Sequence, residues 1–85
     1  MRSFSYTVRD EVGIHARPAG LIAKKAKEYE SDVTVEKDGR TARATGLVAL
    51  MGLAVRKGDT VTVRAEGKDE DEAAEALERL FREIL

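Results

Sequence analysis

Polar and apolar residues alternate along several short segments of the chain, a period of two that is typical of strands with one buried face. Residues 3–9 and residues 60–66 alternate in this way. Residues 33–35 mark a further strand and residues 40–44 a short one, with an Asp38-Gly39 pair between them. Asp-Gly suits the two-residue type I′ turn of a β-hairpin. The alternation therefore predicts four strands, two of them joined as a hairpin.

Two other segments repeat their apolar residues every three or four positions, as amphipathic helices do. The first covers residues 16–30, with a stripe formed by Ala19, Ile22, Ala26 and Tyr29. The second begins near Asp69, and Asp69 or a close neighbour is expected to cap it, with Glu72 three residues after Asp69 as in a capping box. Its apolar stripe comprises Ala73, Leu77, Leu80, Phe81 and Ile84. Each stripe predicts a helix that packs on the sheet by one face.

The longest apolar run, residues 46–55, fits a buried strand or a short helix, because periodicity alone does not separate the two. Its Ala, Leu and Met residues favour the helix. A short helix cannot bury every side, so we expect its residues to divide. Leu50 and Leu53 are expected inside. The residues expected to point outwards are Leu47, Val48 and Met51.

The predicted order is β-α-β-β-α-β-α, which indicates a two-layer α+β domain whose antiparallel sheet is covered on one side. A length of 85 residues suits one domain, residues 1–85. The absence of cysteine excludes disulfides, and with a single histidine it argues against a structural zinc site. The apolar run is too short to span a bilayer, and no signal-peptide segment opens the chain. We therefore expect a cytoplasmic protein without membrane insertion.

The charges are spread unevenly. Residues 1–68 carry 13 Lys and Arg against 9 Asp and Glu, whereas residues 69–85 carry 2 against 7. The basic part suits an acidic or phosphorylated partner, although ordinary solvated helix faces also explain it. Ferredoxin-like domains share the element order, and many of them bind RNA. This sequence lacks paired aromatic residues on a strand and an overall basic excess, so no nucleic-acid partner is expected.

The only histidine and the only proline lie together in residues 13–20, where a strand-like segment gives way to a helical one. Pro18 is tolerated in the first turn of a helix, because its missing N–H would have no partner there. His15 is therefore expected at a helix N-terminus, where free N–H groups and the helix dipole favour negative charge. Arg17 adds a positive charge. An imidazole, amide donors and a guanidinium together indicate a group that accepts a phosphoryl unit.

The segment Gly13-Ile14-His15-Ala16-Arg17-Pro18-Ala19 closely resembles the active-site segment of the HPr family. These proteins are the histidine-containing phosphocarriers of the bacterial phosphoenolpyruvate-dependent sugar phosphotransferase system. The similarity extends over essentially the whole chain, including Lys57-Gly58 and Ala65-Glu66-Gly67 around the last strand. It implies an open-faced sandwich with strand order 1-4-2-3 and three helices on one face. It also implies a monomeric carrier rather than an enzyme, without a cofactor or a metal.

The resemblance also implies residue roles. His15 would accept a phosphoryl group through Nδ1 from phosphorylated enzyme I and pass it to the EIIA domains of sugar permeases. Arg17 would assist at the phosphate, together with the backbone amides of Ala16 and Arg17. The positions that line the partner-docking surface in the family are held here by Gly20, Lys24, Lys27, Leu47, Val48 and Met51.

One position departs from the family pattern. Many members carry a regulatory serine at the start of the second helix, modified by an ATP-dependent kinase, and this chain has Gly46 there. Thr45 is adjacent but displaced, so we expect no such regulation. Two other functions remain open: a regulatory phosphorelay paralogue, and a partner-binding module that uses the same surface without transfer. The latter would be distinguished by loss of the histidine, and His15 is present.

Overall fold

Seven elements form in the predicted order, and the computed structural model describes all 85 residues. The strands are β1 (Arg2–Thr7), β2 (Asp32–Lys37), β3 (Arg40–Arg43) and β4 (Thr60–Glu66). The helices are α1 (Ala16–Ala26), α2 (Leu47–Gly52) and α3 (Glu70–Ile84). The apolar run of residues 46–55 thus contains a helix, in line with its Ala, Leu and Met content.

The four strands form one antiparallel sheet in the order β1-β4-β2-β3, which confirms the order that the resemblance implied. In the register, Val63 of β4 lies between Phe4 of β1 and Val35 of β2. Val35 and Val63 are fully buried on the helix side. The neighbouring positions along each strand point to the other face, where the hydroxyls of Thr7 and Thr60 hydrogen bond at 2.9 Å. The alternation of apolar and polar residues along each strand thus gives the sheet one apolar face and one polar face.

The helices cover the apolar face, and twenty buried side chains form one core cluster. Phe81 of α3 is fully buried and meets the rings of Phe4 and Tyr6 edge to face, with centroid distances of 5.7 and 6.0 Å. Such aromatic pairs add about 0.5–1.5 kcal/mol beyond the area that they bury. They fix α3 over β1. No helix is both long and apolar enough to cross a lipid bilayer.

Strand β1 ends at Thr7, two residues before the predicted end. Val8 still donates its amide to the carbonyl of Asp59, at 2.9 Å. The next two amides, of Arg9 and Asp10, donate instead to the carbonyl oxygen of Leu85, at 2.6 and 2.7 Å. The far end of the chain therefore draws the loop after β1 away from the sheet.

A close backbone contact fixes this loop before α1. Gly13 has a φ of +77°, and a Cβ there would lie 2.2 Å from the carbonyl oxygen of Val55. The buried Ile14 donates its amide to that same oxygen at 3.1 Å. The carboxylate of Asp10 accepts the amides of Val12 and Gly13, each at 3.1 Å. The residue that follows Ile14 is therefore held at a fixed point.

Helix α1 ends at Ala26, four residues before the predicted end at residue 30. The amides of residues 28–29 bond to carbonyls three residues back, which tightens the last turn. The amides of Glu30 and Ser31 then donate to the carboxylate of Asp69, each at 2.9 Å. Residues 30–31 thus bond to a carboxylate 38 or 39 residues away instead of continuing the helix. No local sequence pattern indicates this helix end.

Asp69 occupies the N-cap position of α3, but the predicted capping box with Glu72 is wrong. The Asp69 carboxylate makes no hydrogen bond to the first amides of the helix, because it accepts the Ser31 hydroxyl at 2.5 Å instead. The Ser31 hydroxyl and the Glu30 amide hold the pKa of Asp69 below its ordinary value of 3.8. The side chain therefore joins the start of α3 to the segment between α1 and β2.

This junction predicts an acid-sensitive contribution to stability. Because folding lowers the pKa of Asp69, the carboxylate stabilises the fold above its ordinary pKa, and this contribution is lost as the pH falls through the folded value. We expect Asp69→Asn to lower the melting temperature at pH 7. Below about pH 4, the melting temperatures of the variant and the parent protein should become more similar, because the parent carboxylate is then protonated. Circular dichroism melts from pH 7 down to pH 3 measure both. The control variant Asp71→Asn removes an exposed carboxylate that pairs with Arg2. Its melting temperature should differ little from that of the parent protein, since exposed ion pairs contribute little stability. An equal loss for Asp69→Asn at every pH would contradict this account.

The approach of Gly13 to Val55 predicts a matched pair of glycine variants. Gly39 has nearly the same φ, +81°, but nothing lies within 4 Å of a Cβ placed there. Gly39→Ala should therefore lose about 1–2 kcal/mol of unfolding free energy from the left-handed conformation alone. Gly13→Ala should lose about 1–3 kcal/mol more, because the methyl group is forced against a packed carbonyl. Urea unfolding compares the two, and equal losses would show that the contact with Val55 imposes no constraint.

Candidate functional site

His15 lies at the N-cap position of α1, with φ −109° and ψ −168°. Its carbonyl accepts the amide of Ala19 at 2.9 Å, so the backbone of His15 starts the helix. Its side chain makes no capping hydrogen bond and is partly exposed. The imidazole is therefore available to a group that approaches from solvent.

Two free backbone donors follow His15 directly in the chain. The amides of Ala16 and Arg17 have no acceptor in the protein, and the next residue, Pro18, has no N–H. Free amides at the start of a helix, together with the helix dipole, favour a bound anion. The side chain of Arg17 is exposed and makes no ion pair. The start of α1 thus combines an imidazole, two amide donors and an unpaired guanidinium.

A pocket of about 270 Å³ opens at this point of the surface. It is lined by Asp10, His15, Arg17, Pro18, Leu21, Glu83 and Ile84. Two of the lining residues, Asp10 and Glu83, are carboxylates, so the site is less uniformly positive than the sequence indicated. The Asp10 carboxylate already accepts two loop amides, whereas Glu83 makes no ion pair. Arg17 supplies the cationic side chain that faces them.

Sequence reasoning missed Asp10, Leu21 and Glu83 at this pocket. Asp10 followed three residues later by Gly13 is a turn signal, since Asp favours the first position of a β-turn and Gly the fourth. Leu21 lies one helical turn after Arg17, so helical spacing also places it on this side of α1. Glu83 comes from the end of α3, and no local pattern connects it with residue 15.

The remaining candidate residues lie on two helices that pack against each other, α1 and α2. Helix α1 carries Gly20 and Lys24, and Lys27 follows as its C-cap residue. Both lysines are exposed, and neither forms an ion pair. The three candidates of α2 are Leu47, Val48 and Met51.

Helix α2 divides its apolar residues as the sequence predicts. Leu50 and Leu53 are buried, whereas Val48 is 81% exposed and Leu47 and Met51 are just over 40% exposed. Large apolar side chains that are exposed together beside charged groups mark protein interaction sites. The surface formed by Gly20, Lys24, Lys27, Leu47, Val48 and Met51 is called the docking surface below.

Gly46 is the N-cap residue of α2, and Thr45 precedes it as a half-buried residue. The structure thus brings Gly46 to the helix start that the family pattern indicated for the regulatory serine. A Cβ at this position would lie 3.3 Å from that of Ala49. No three side chains of the His, Cys, Asp and Glu types come together as a metal site.

Comparisons with known proteins agree with this geometry. A family model described as the PTS HPr component phosphorylation site matches residues 2–83. The phosphocarrier protein HPr of Lysinibacillus sphaericus is 39% identical over 99% of this chain and 96% of its own length. The HPr-like protein Crh of Bacillus subtilis is 45% identical over 89% of this chain and 89% of its own.

Two crystal structures from Thermoanaerobacter tengcongensis, each 36% identical in sequence, are also similar. The structure of HPr-C-His has a TM-score of 0.92 over 96% of this chain and 92% of that one. The structure of an HPr dimer has a TM-score of 0.78 over 98% and 95% of the two chains. Sequence, fold and the segment around His15 therefore agree over nearly the whole length. The chain belongs to the HPr family of phosphocarrier proteins.

Proposed function

We propose that this protein carries a phosphoryl group on Nδ1 of His15, received from phosphorylated enzyme I and passed to the EIIA domains of sugar permeases. The observation that carries the proposal is the start of α1, where the His15 side chain lies free beside two unbonded amides. The proposal places the protein in the cytoplasm as a single domain that acts as a carrier rather than an enzyme.

The imidazole suits a reversible transfer. A neutral ring nitrogen is nucleophilic near pH 7, and the phosphoramidate that forms stays reactive enough to give up its phosphoryl group. In each transfer the bond between phosphorus and the donor group breaks as the bond to the acceptor forms, first from phosphorylated enzyme I to Nδ1 of His15 and then from Nδ1 to the EIIA domain. Phosphoryl transfer passes through a loose transition state, so positioning and charge stabilisation do most of the work.

The neighbours of His15 support the charge stabilisation. The amides of Ala16 and Arg17 point out of the helix start, where they are able to donate to phosphoryl oxygens. The exposed guanidinium of Arg17 is free to add a charge-assisted hydrogen bond. Because Asp10 and Glu83 line the same pocket, the phosphoryl group is also repelled from that wall. This balance suits a group that must be released again.

The docking surface supports recognition of two different partners in turn. Its apolar centre on α2 is exposed, and Lys24 and Lys27 form a positive rim at α1. Charged rims steer encounter with partners of opposite charge, whereas exposed apolar residues supply contact area. We propose that enzyme I and the EIIA domains bind this surface through acidic and apolar patches.

A regulatory phosphorelay is the second candidate function. The similarity to Crh favours it, since that protein is described as the catabolite repression HPr of Bacillus subtilis. Gly46 in place of the regulatory serine argues against control by an ATP-dependent kinase, and Thr45 is displaced from that position. Transfer to EIIA domains, measured directly, separates the two candidates.

A single copy contains every group that the proposal uses. His15, Arg17 and the docking surface all come from one chain. We therefore predict that the monomer is the active form.

The carrier proposal predicts an enzyme I-dependent phosphohistidine. With phosphoenolpyruvate and enzyme I, the protein should acquire one acid-labile phosphate, and His15→Ala should acquire none. Arg17→Met should slow the transfer about 10- to 100-fold, because a charge-assisted hydrogen bond contributes about 1.5–3 kcal/mol. Phosphate incorporation and mass spectrometry measure both. Labelling of His15→Ala at the parent rate would overturn the proposal.

The docking surface predicts a charge-dependent rate. Lys24→Glu combined with Lys27→Glu should slow transfer from enzyme I about tenfold or more at low salt and weaken its salt dependence. The matched control combines Lys25→Glu with Lys68→Glu, which makes the same change in net charge elsewhere. Lys25 faces the groove between α1 and α3 rather than the docking surface. If the two double variants slow transfer equally, only overall charge matters and the surface is wrongly assigned.

A further inference from the structure

Helix α2 is too short to hold its own orientation. It has six residues, no side-chain cap at its start, no acidic residue in its first turn and no basic residue in its last. Isolated helices of this length are unstable in water, so tertiary contacts must support it. Leu50 is the one buried residue within the helix, and Leu53 follows it at the C-cap. With only one or two buried side chains, the orientation of α2 also depends on contacts outside the apolar core.

The hairpin of β2 and β3 holds the other end of this helix. Arg40 donates from Nη2 to the carbonyl of Gly52 at 2.9 Å, and Lys37 donates from Nζ to the carbonyl of Ala54 at 2.8 Å. The last carbonyls of a helix lack partners within it, and they attract cations through the helix dipole. Arg40 therefore supplies the cation that the last turn of α2 lacks, and Lys37 binds the turn directly after the helix, since Ala54 follows the C-cap residue Leu53.

The Lys37 contact lies at a strained point of the backbone. Ala54 has a φ of +55°, a left-handed conformation that is rare for a residue with a side chain. Lys37 is in turn held by Asp59, with Nζ and Oδ2 3.0 Å apart, and Asp59 also accepts the amide of Arg56 at 2.9 Å. The ammonium group thus joins the end of β2, the turn after α2 and the start of β4.

We propose that Lys37 and Arg40 position the docking surface by clamping the C-terminal end of α2, and so set the affinity for protein partners. The inference rests on the proposed function and adds two positioning residues to it. Neither residue lines the pocket at His15. With the clamp in place, the outward side chains of α2 keep one orientation. Without it, only a fraction of the molecules presents them correctly, and the apparent affinity falls by that fraction.

The test compares the double variant Lys37→Met and Arg40→Met with a control of equal charge loss, Arg43→Met and Lys68→Met. Arg43 is 75% exposed on β3 and pairs only with the exposed Asp32. For phosphorylation by enzyme I, the clamp variant should raise KM about five- to tenfold while kcat stays within about twofold. The control should change neither by more than about twofold. Arg40→Lys, combined with native Lys37, keeps a donor and should restore most of the affinity.

Two further readouts separate positioning from a general loss of stability. Phosphorylation of His15 by phosphoramidate, a small donor that does not need the docking surface, should proceed at the parent rate. The amides of Leu53 and Ala54, which donate to the carbonyls of Leu50 and Met51, should exchange with deuterium faster in the clamp variant.

Three results would overturn the inference. They are an unchanged KM, an equal rise of KM in the control, or a loss of phosphoramidate reactivity that matches the loss with enzyme I. If the parent protein reacts with phosphoramidate but not with enzyme I, the proposed function fails instead. The exchange of the two amides still reports in that case whether the hairpin holds α2.

Discussion

The contact between the backbone of residues 13–14 and the carbonyl of Val55 determines where the first helix begins. The backbone of Gly13 lies so close to that carbonyl that a Cβ on residue 13 would be 2.2 Å from its oxygen, so only glycine fits there. Ile14 bonds to the same oxygen, and the helix starts at the next residue. The partly exposed imidazole, the two unbonded amides and the pocket beside them all depend on this starting point.

Carboxylates that accept backbone amides organise several loops of the fold. Asp10 and Asp59 accept amides two or three residues away, within their own turns, whereas Asp69 accepts the amides of Glu30 and Ser31 across 39 and 38 residues of sequence. Such side chains bond to nearby amides readily, which is why they favour turns over helix interiors. In this protein these carboxylates bond to loop amides, and none of the three helices has a side-chain hydrogen bond at its N-cap.

Local patterns were sufficient for the elements but not for their ends. The period of two gave the strands, and the Asp38-Gly39 pair gave a hairpin whose two central residues both have positive φ. The division of α2 into buried and exposed leucines also followed from its length. The end of α1 and the true partner of Asp69 did not, because both depend on a contact across 38 residues of sequence. Glu83 was missed at the pocket for the same reason.

The segment around His15 was informative for a different reason. Its histidine, arginine and proline match the order in the active-site segment of the HPr family, and the fold places all three at one helix start. The strand order came from the family resemblance and not from the alternation of residues. The carboxylates that line the pocket lay outside both kinds of argument, since one comes from a loop and the other from the end of α3.

The polar face of the sheet has a consequence for how the molecule can be handled. Hydroxyls such as those of Thr7 and Thr60 cover it, and no helix packs there. Everything that the proposed carrier needs for recognition lies on the opposite side. A fluorophore or an affinity tag attached to the polar face of the sheet would therefore not obstruct the binding of enzyme I or of an EIIA domain.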